Sequence, residues 1–282
     1  MRWVDTHVHL FSSHGDNADM PLVFAKKALN TADLYLEILG EQKPEGIVVV
    51  DFSKSKNSEH VVQSLDELKK KGVKAAGVIK ADLGEPRTLQ WMDRADVRGI
   101  RLYAKESVPN LSGDEWEKAF AKVKKNKQHI LIFGSGENLI ATIKQVPEDI
   151  VILADHLGLP DVFSTNGDPT FRDLLALAKK RGNLYFKGPG YRTSLDVEKV
   201  KPVVKAIVEA VGIDKLILGA SDGPFAGPVL EPTPQYDGKK FGEVMDYNKV
   251  ISFISELASS VANNGAEKDK ILCDNARKLY GF

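Results

Sequence analysis

The sequence predicts a single (β/α)8 barrel, a TIM barrel of the α/β class, over residues 1–282. Three observations support this prediction: short apolar runs alternate with amphipathic segments along the whole chain, eight such units can be counted, and 282 residues is close to the size at which this fold usually occurs, about 250 residues. An open, doubly wound sheet is the alternative. It gains no support from motifs, because no Gly-x-Gly-x-x-Gly follows the first apolar run and no P-loop sequence occurs.

Eight short apolar runs are the predicted strands. Their length and their content of valine, isoleucine and leucine are typical of strands that are buried on both faces. They cover residues 2–9, 46–52, 73–80, 98–104, 129–135, 149–156, 183–190 and 216–222.

Amphipathic segments follow most of these runs. In residues 59–71, for example, Val61, Val62, Leu65 and Leu68 lie on one face of a helix. The further predicted helices cover residues 114–126, 137–146, 170–181, 197–211 and 244–263. Helices between successive strands are what parallel pairing requires.

Two connections are too long for ordinary turns: residues 11–22 after the first strand and residues 223–246 after the eighth. Both follow the carboxyl end of a strand, where barrel enzymes build their sites, so we expect lids or substrate walls there. His14 lies in the first of these connections and is interpreted as a loop residue.

Composition excludes several functional classes. The 39 basic and 39 acidic side chains balance, whereas a nucleic-acid-binding protein normally has a basic surplus. No apolar stretch approaches the roughly 18 residues that span a bilayer, and the first residues do not resemble a signal peptide. A single cysteine, Cys273, allows no internal disulfide. We therefore expect a cytoplasmic protein without nucleic-acid or membrane partners; its oligomeric state stays open.

The first predicted strand bears three ionisable residues. Side chains alternate along a strand, so Asp5, His7 and His9 would share one face while the residues between them face the helices. We therefore expect all three to line the upper interior of the barrel. Two histidines satisfied by structural neighbours would be the plainer alternative.

Two further strands end in ionisable residues. Asp155 and His156 end the sixth strand on opposite faces, and Asp222 ends the eighth. A terminal aspartate can simply cap a helix. Because His7, His9, His156 and Asp222 end three separate strands, however, capping explains them less well than a shared catalytic site.

The sequence resembles the amidohydrolase superfamily. Within it, the chain looks similar to the branch of 2-pyrone-4,6-dicarboxylate lactonase and related sugar-lactone enzymes. The matching pieces run from the first strand to the last helix, at residues 5–9, 98–102, 154–158, 187–192, 219–222 and 271–282.

The resemblance implies an enzyme, and it raises the question of a metal. Metal-dependent members usually add a histidine on the fifth strand, and binuclear members add a carboxylated lysine or a glutamate on the fourth. Here the fifth strand has only His129, at its amino end, and the fourth offers Arg101. The sequence therefore favours activity without a metal. A single zinc or manganese ion held by His7, His9 and Asp222 remains the alternative.

The resemblance also suggests a mechanism. Asp222 would act as general base on the water that attacks a lactone carbonyl, and His7, His9 and His156 would stabilise the oxyanion. A metal-dependent decarboxylase and a lactone isomerase of the same superfamily are the alternative enzymes. A non-catalytic barrel that binds an organic acid is the alternative from another class.

Cationic side chains near the strand ends indicate an anionic substrate. Arg101 and Tyr103 end the fourth strand, and Lys187 and Arg192 end the seventh; we predict that these four bind the substrate. Arginine grips a carboxylate with two hydrogen bonds, although a solvated rim charge is the plainer interpretation. No second arginine follows Arg101 before Arg172. The dicarboxylate lactonase that the chain resembles has a further arginine shortly after its fourth-strand arginine, so the resemblance favours a small lactone or organic acid with one carboxylate over the dicarboxylated pyrone.

Overall fold

The computed structural model describes residues 1–11, 31–52, 55–163, 167–194, 196–223 and 247–282. Eight parallel strands pair in the order of the sequence, which confirms the predicted barrel. The strands are β1 (Asp5–Val8), β2 (Ile47–Val50), β3 (Ala75–Lys80), β4 (Val97–Ala104), β5 (His129–Gly134), β6 (Ile152–Ala154), β7 (Leu184–Lys187) and β8 (Leu216–Ile217). Backbone hydrogen bonds from Thr6 to Gly219 (2.8 Å) and from His9 to Gly223 (2.8 Å) nearly close the barrel.

In the described ranges a helix follows every strand. These helices are α1 (Ala32–Leu39), α2 (Glu59–Lys70), α3 (Thr88–Trp91), α4 (Asp114–Lys125), α5 (Gly136–Gln145), α6 (Pro169–Arg181), α7 (Val197–Val211) and α8 (Tyr247–Val261). Nothing among the described helices has both the length and the apolar character needed to cross a bilayer. His14 and nearly all of the two long connections, residues 12–22 and 224–246, lie outside the described residues.

The core has two layers because side chains alternate along each strand. Val48, Val50 and Leu131 belong to the cluster inside the barrel, whereas Ile47 and Val49 belong to the cluster between the strands and the helices.

The last helical segment closes the amino end of the barrel. It consists of α9 (Gly265–Asp269), a π-helical turn (Lys270–Asp274) and α10 (Asn275–Tyr280). Tyr280 packs against His129 at the start of β5, with ring centroids 5.1 Å apart. The carboxyl ends of the strands are left for a site, as in other barrels of this kind.

Strand β1 departs from regular alternation. Its pairing with β2 changes register between Asp5 and Val8. Asp5 consequently points between the helices, where its carboxylate accepts hydrogen bonds from Tyr35 (2.6 Å) and Tyr247 (3.0 Å). The prediction that Asp5 lines the interior beside His7 was therefore wrong, because the strand is not regular between the two residues.

Gly219 marks a close approach of three chain segments. A methyl group there would lie 2.6 Å from the Leu272 carbonyl oxygen and would also overlap the Val4 carbonyl. We expect Gly219→Ala to lower the free energy of unfolding by about 1–3 kcal/mol, since backbone cannot yield as a side chain can. Urea denaturation measures this. The matched control is Gly265→Ala, which has open space and should change stability little; equal effects at both positions would contradict the expectation.

Candidate active site

Four ionisable residues predicted from the sequence meet at the carboxyl end of the barrel. The ring of His7 lies 4.9 Å from that of His9 and 5.0 Å from that of His156. Asp222 Oδ1 lies 3.5 Å from His9 Nε2 and 3.6 Å from His7 Nε2. All four residues are at most 3% exposed, so their charges interact with little screening by water.

The backbone leaves the regular strand conformation where two of these residues lie. His156 has φ of 50° and Asp222 has φ of 53°, both in the left-handed region that non-glycine residues seldom occupy. The turn at His156 brings its Nε2 to 3.7 Å from Asp155 Oδ2, although strand alternation predicts opposite faces for the two residues. Strained backbone of this type is common where a side chain must be placed for function.

Asp155 is the central residue that the sequence did not assign to the site. One of its carboxylate oxygens accepts a hydrogen bond from Arg101 Nη2 (2.7 Å) and the other from Lys187 Nζ (2.8 Å). Burial alone would raise its pKa, but the charges of Lys187 and Arg101 outweigh burial and hold that pKa well below its usual value. In the structure Asp155 shares the strand face of Leu153, which lies in the inner cluster, but the sequence alone does not show which face of this strand points inward.

Among the described residues that contact Asp155 and Asp222, cations outnumber the two carboxylates. Arg101, Lys187 and Arg192 face two carboxylates of low pKa, and Arg192 is hydrogen-bonded to Asp222. Burial lowers the pKa of His7 and His9, and it lowers the pKa of His156 to about 3, so these rings are neutral near pH 7. Such a surplus favours an anionic ligand.

The four residues predicted to bind substrate differ in their access to solvent. The Lys187 side chain is fully buried and that of Arg101 is 4% exposed, whereas that of Arg192 is 21% exposed. Tyr103 donates a hydrogen bond to the Asp51 backbone oxygen (3.0 Å) and lies beneath the Arg101 guanidinium. Their roles toward a substrate stay predictions, with Arg192 the most exposed of the three cations.

Hydrogen bonds assign opposite tautomers to His7 and His9. His9 Nδ1 lies 2.9 Å from the Val50 carbonyl oxygen, which can only accept, so in the neutral ring Nε2 has the lone pair. His7 Nδ1 lies 2.7 Å from Lys187 Nζ and 3.3 Å from Asp155 Oδ1. The shorter contact is with an ammonium, which can only donate, so Nε2 of that neutral ring has the proton. The two Nε2 atoms that flank Asp222 are therefore an acceptor and a donor.

In the part of the chain that the structure describes, two groups of side chains have the spacing of metal ligands. They are His7 with His9 and Asp222, and His7 with Asp155 and His156; in each, the ligand atoms lie within 4.8 Å of one another. The distances suit a divalent ion, but the donors do not. A protonated Nε2 cannot coordinate a metal, and the oxygens of Asp155 are already bonded to two cations. With Lys187 in place as an ammonium, His7 does not fit the ligand role.

Asp51 is a further buried acid beside the site that the sequence did not indicate. Its carboxylate accepts hydrogen bonds from Ser55 (2.9 Å) and Ser58 (2.8 Å). His60 is buried, with Nε2 3.9 Å from this carboxylate. Burial raises the pKa of Asp51 to about 7.

The raised pKa of Asp51 makes stability depend on pH. Between the usual carboxyl pKa of about 4 and pH 7 the folded state binds more protons at this site than the unfolded state, so its contribution weakens the fold as pH rises. Between pH 4 and 7 we expect the free energy of unfolding of Asp51→Asn to fall less than that of the wild type, by up to about 4 kcal/mol. Urea denaturation of both proteins from pH 4 to 7 measures it. Parallel stability curves for wild type and variant would contradict the expectation.

The chain matches the model of a known protein family. The model of the amidohydrolase family, Amidohydro_2, matches residues 4–282, which is nearly the whole chain and confirms the resemblance found in the sequence. No curated protein matches the chain.

Solved structures share the fold at low identity. A probable 2-pyrone-4,6-dicarboxylic acid hydrolase of Acinetobacter baumannii with citric acid bound is 18% identical, with a TM-score of 0.75 and complete coverage of both chains. An amidohydrolase of Burkholderia multivorans with bound zinc is 16% identical, with a TM-score of 0.71 and again complete coverage of both chains. 5-Carboxyvanillate decarboxylase of Sphingomonas paucimobilis is 12% identical, with a TM-score of 0.62 over 100% of this chain and 99% of that one.

Proposed function

The chain belongs to the amidohydrolase family, and we propose that it hydrolyses a small lactone that bears a carboxylate. One observation supports this most directly. Asp222 Oδ1 and His7 Nε2 are buried, lack a hydrogen-bond partner among the described residues and lie 3.6 Å apart. An unused acceptor beside an unused donor suits a base and an oxyanion donor that act on neighbouring atoms of one reacting group.

In the proposed reaction Asp222 removes a proton from water as the water oxygen bonds to the lactone carbonyl carbon. The His7 Nε2 proton stabilises the carbonyl oxygen as it becomes negative. The bond between that carbon and the ring oxygen then breaks, and the proton passes from Asp222 to the leaving ring oxygen. The product is a hydroxy acid, or its keto tautomer where the leaving group is an enolate.

His9 and His156 have supporting roles in this proposal. His9 Nε2 is an acceptor 3.5 Å from Asp222 Oδ1, so one water molecule could donate a hydrogen bond to each of them. Both hydrogens of this water would point at Asp222 and His9, so a lone pair of its oxygen would point away from them. His156 Nδ1 is buried without a partner among the described residues and is proposed to bind the substrate carbonyl region.

Charge supports the carboxylate on the substrate. The cation surplus of the site would be balanced by one anionic group, and Arg192, as the most exposed cation, is the proposed partner. The bound citric acid of the Acinetobacter baumannii protein supports the same class of ligand. We also propose a cytoplasmic location, in agreement with the single buried and unpaired Cys273.

A panel of carboxylated lactones and their methyl esters tests the proposal in buffer with a chelator. Each lactone opened near pH 7 releases one proton as the new carboxylic acid ionises, so a pH-stat counts turnover. We expect kcat/KM for the acids to exceed that for the esters by about 10–100-fold, because a hydrogen bond to a charged group contributes roughly 1.5–3 kcal/mol. Conversion without proton release would indicate an isomerase, and release of carbon dioxide a decarboxylase; either result would overturn the proposal.

A further inference from the structure

Lys187 is a fully buried cation that the proposed mechanism does not use. Its side chain has no exposed surface, and its Nζ contacts three groups. These are Asp155 Oδ1 at 2.8 Å, His7 Nδ1 at 2.7 Å and the Gly188 carbonyl oxygen at 3.4 Å. An ammonium has three hydrogens to donate, so these contacts use all of them and leave none for a substrate.

The contact with His7 decides what that ring can do. His7 Nδ1 lies 3.3 Å from Asp155 Oδ1, but the Lys187 ammonium is closer, at 2.7 Å, and offers no lone pair. Nδ1 therefore accepts from Lys187, and the proton of the neutral ring lies on Nε2. His9 shows the opposite arrangement, in which a backbone carbonyl holds the proton on Nδ1. That second arrangement is the usual one for a histidine that binds a metal, because the ring nitrogen away from the metal normally donates to an oxygen.

We propose that Lys187 is a positioning residue that holds His7 as an Nε2 proton donor and thereby keeps a metal ion out of the group formed by His7, His9 and Asp222. The value of that donor for catalysis rests on the proposed lactone hydrolysis. The tautomer and the metal affinity do not, so they can be tested without a substrate.

The first test is made on the unaltered protein. Nitrogen-15 NMR of protein labelled in its histidines distinguishes a protonated ring nitrogen from an unprotonated one. We expect His7, identified by loss of its signals in His7→Asn, to have a protonated Nε2 and a bare Nδ1, and His9 to show the reverse in the same spectrum. A proton on His7 Nδ1 would overturn the proposal.

The second test measures zinc binding, with zinc ion as the probe and calorimetry as the readout. Lys187→Met frees His7 Nδ1 to hold the proton, so we expect zinc to bind at least tenfold more tightly than in the wild type. Lys187→Gln keeps two amide hydrogens for Asp155 and His7 and should retain the weak affinity. Lys215→Met, at a lysine that donates to Tyr185 instead, is the matched control and should also bind zinc as the wild type does.

Two results would overturn the inference: stoichiometric zinc binding by the wild type with the His7 signals shifted, or unchanged affinity in a folded Lys187→Met protein. If Lys187→Met does not fold, the NMR assignment and the zinc titration of the wild type still test the proposal. Failure to hydrolyse any lactone would count against the proposed function alone, because neither test uses turnover.

Discussion

Replacement of Asp222 by asparagine is expected to lower kcat on a good carboxylated lactone by about 10²–10⁴-fold, the usual contribution of a general base. The amide has nearly the same shape and can keep a hydrogen bond from Arg192, but it cannot take a proton from water. The loss should therefore appear in kcat more than in KM, as for an interaction made in the transition state.

The electrostatics of Asp222 bear on how large this effect will be. Burial alone would raise the pKa of Asp222, but the guanidinium of Arg192 outweighs burial and holds it well below its usual value. Asp222 is consequently ionised throughout the neutral range, although a carboxylate of such low pKa is a weak base. The proposed role then requires that the substrate carboxylate compete with Asp222 for Arg192.

Steady-state kinetics of Asp222→Asn on the best lactone of the panel tests this expectation. The same substitution at Asp149, which is 63% exposed and paired with Lys124 at 2.8 Å, should leave kcat unchanged. Turnover by a folded Asp222→Asn protein at the wild-type rate would remove Asp222 from the reaction.

The fold followed from sequence patterns that depend on local chemistry. The predicted helix at residues 197–211 coincides with α7 (Val197–Val211), where Asp196 caps the first turn and apolar residues recur on one face. Strand ends were less predictable, since β8 (Leu216–Ile217) is much shorter than the apolar run at residues 216–222. The rest of that run bonds to β1 and to the last helical segment without regular ladder geometry.

The site residues that the sequence indicated were found from their position at the ends of apolar runs, not from strand alternation. His7 and Asp222 could be placed at strand ends from the sequence. The inward face of β6, however, depends on its partners, so Asp155 and His156 could not be assigned to faces from parity alone. The left-handed turn at His156 and the irregular register at Asp5 arise from tertiary contacts, which single-strand periodicity does not contain.

Asp155→Asn is expected to cause the largest loss of stability of any single substitution considered, about 3–5 kcal/mol of the free energy of unfolding. Asp155 is the shared partner of two buried cations, Arg101 at 2.7 Å and Lys187 at 2.8 Å. The amide offers one acceptor oxygen and must turn its two hydrogens toward the remaining cation. One positive charge is then left buried without a partner.

Urea denaturation at pH 7 measures this loss, with Asp149→Asn as the matched control for an exposed pair, expected to cost about 0–1 kcal/mol. The direction in which the stabilising contribution of Asp155 changes with pH follows from its pKa. This pKa is held well below its usual value although burial opposes this. Its stabilising contribution is thus present above the unfolded pKa near 4 and is lost as pH falls. The difference between wild type and variant should shrink on acidification.

A double-mutant cycle separates the charge from the packing. If the loss in Asp155→Asn comes from an unpaired buried cation, combining it with Lys187→Met removes one of the two cations and should cost less than the sum of the single substitutions, by about 0.5–3 kcal/mol. Strict additivity would mean that Asp155 stabilises the barrel through shape and hydrogen bonds to its other neighbours. A coupled result would instead establish that the carboxylate at the end of β6 allows two cations to lie beside the histidines. These two cations supply the positive charge that the proposed substrate needs.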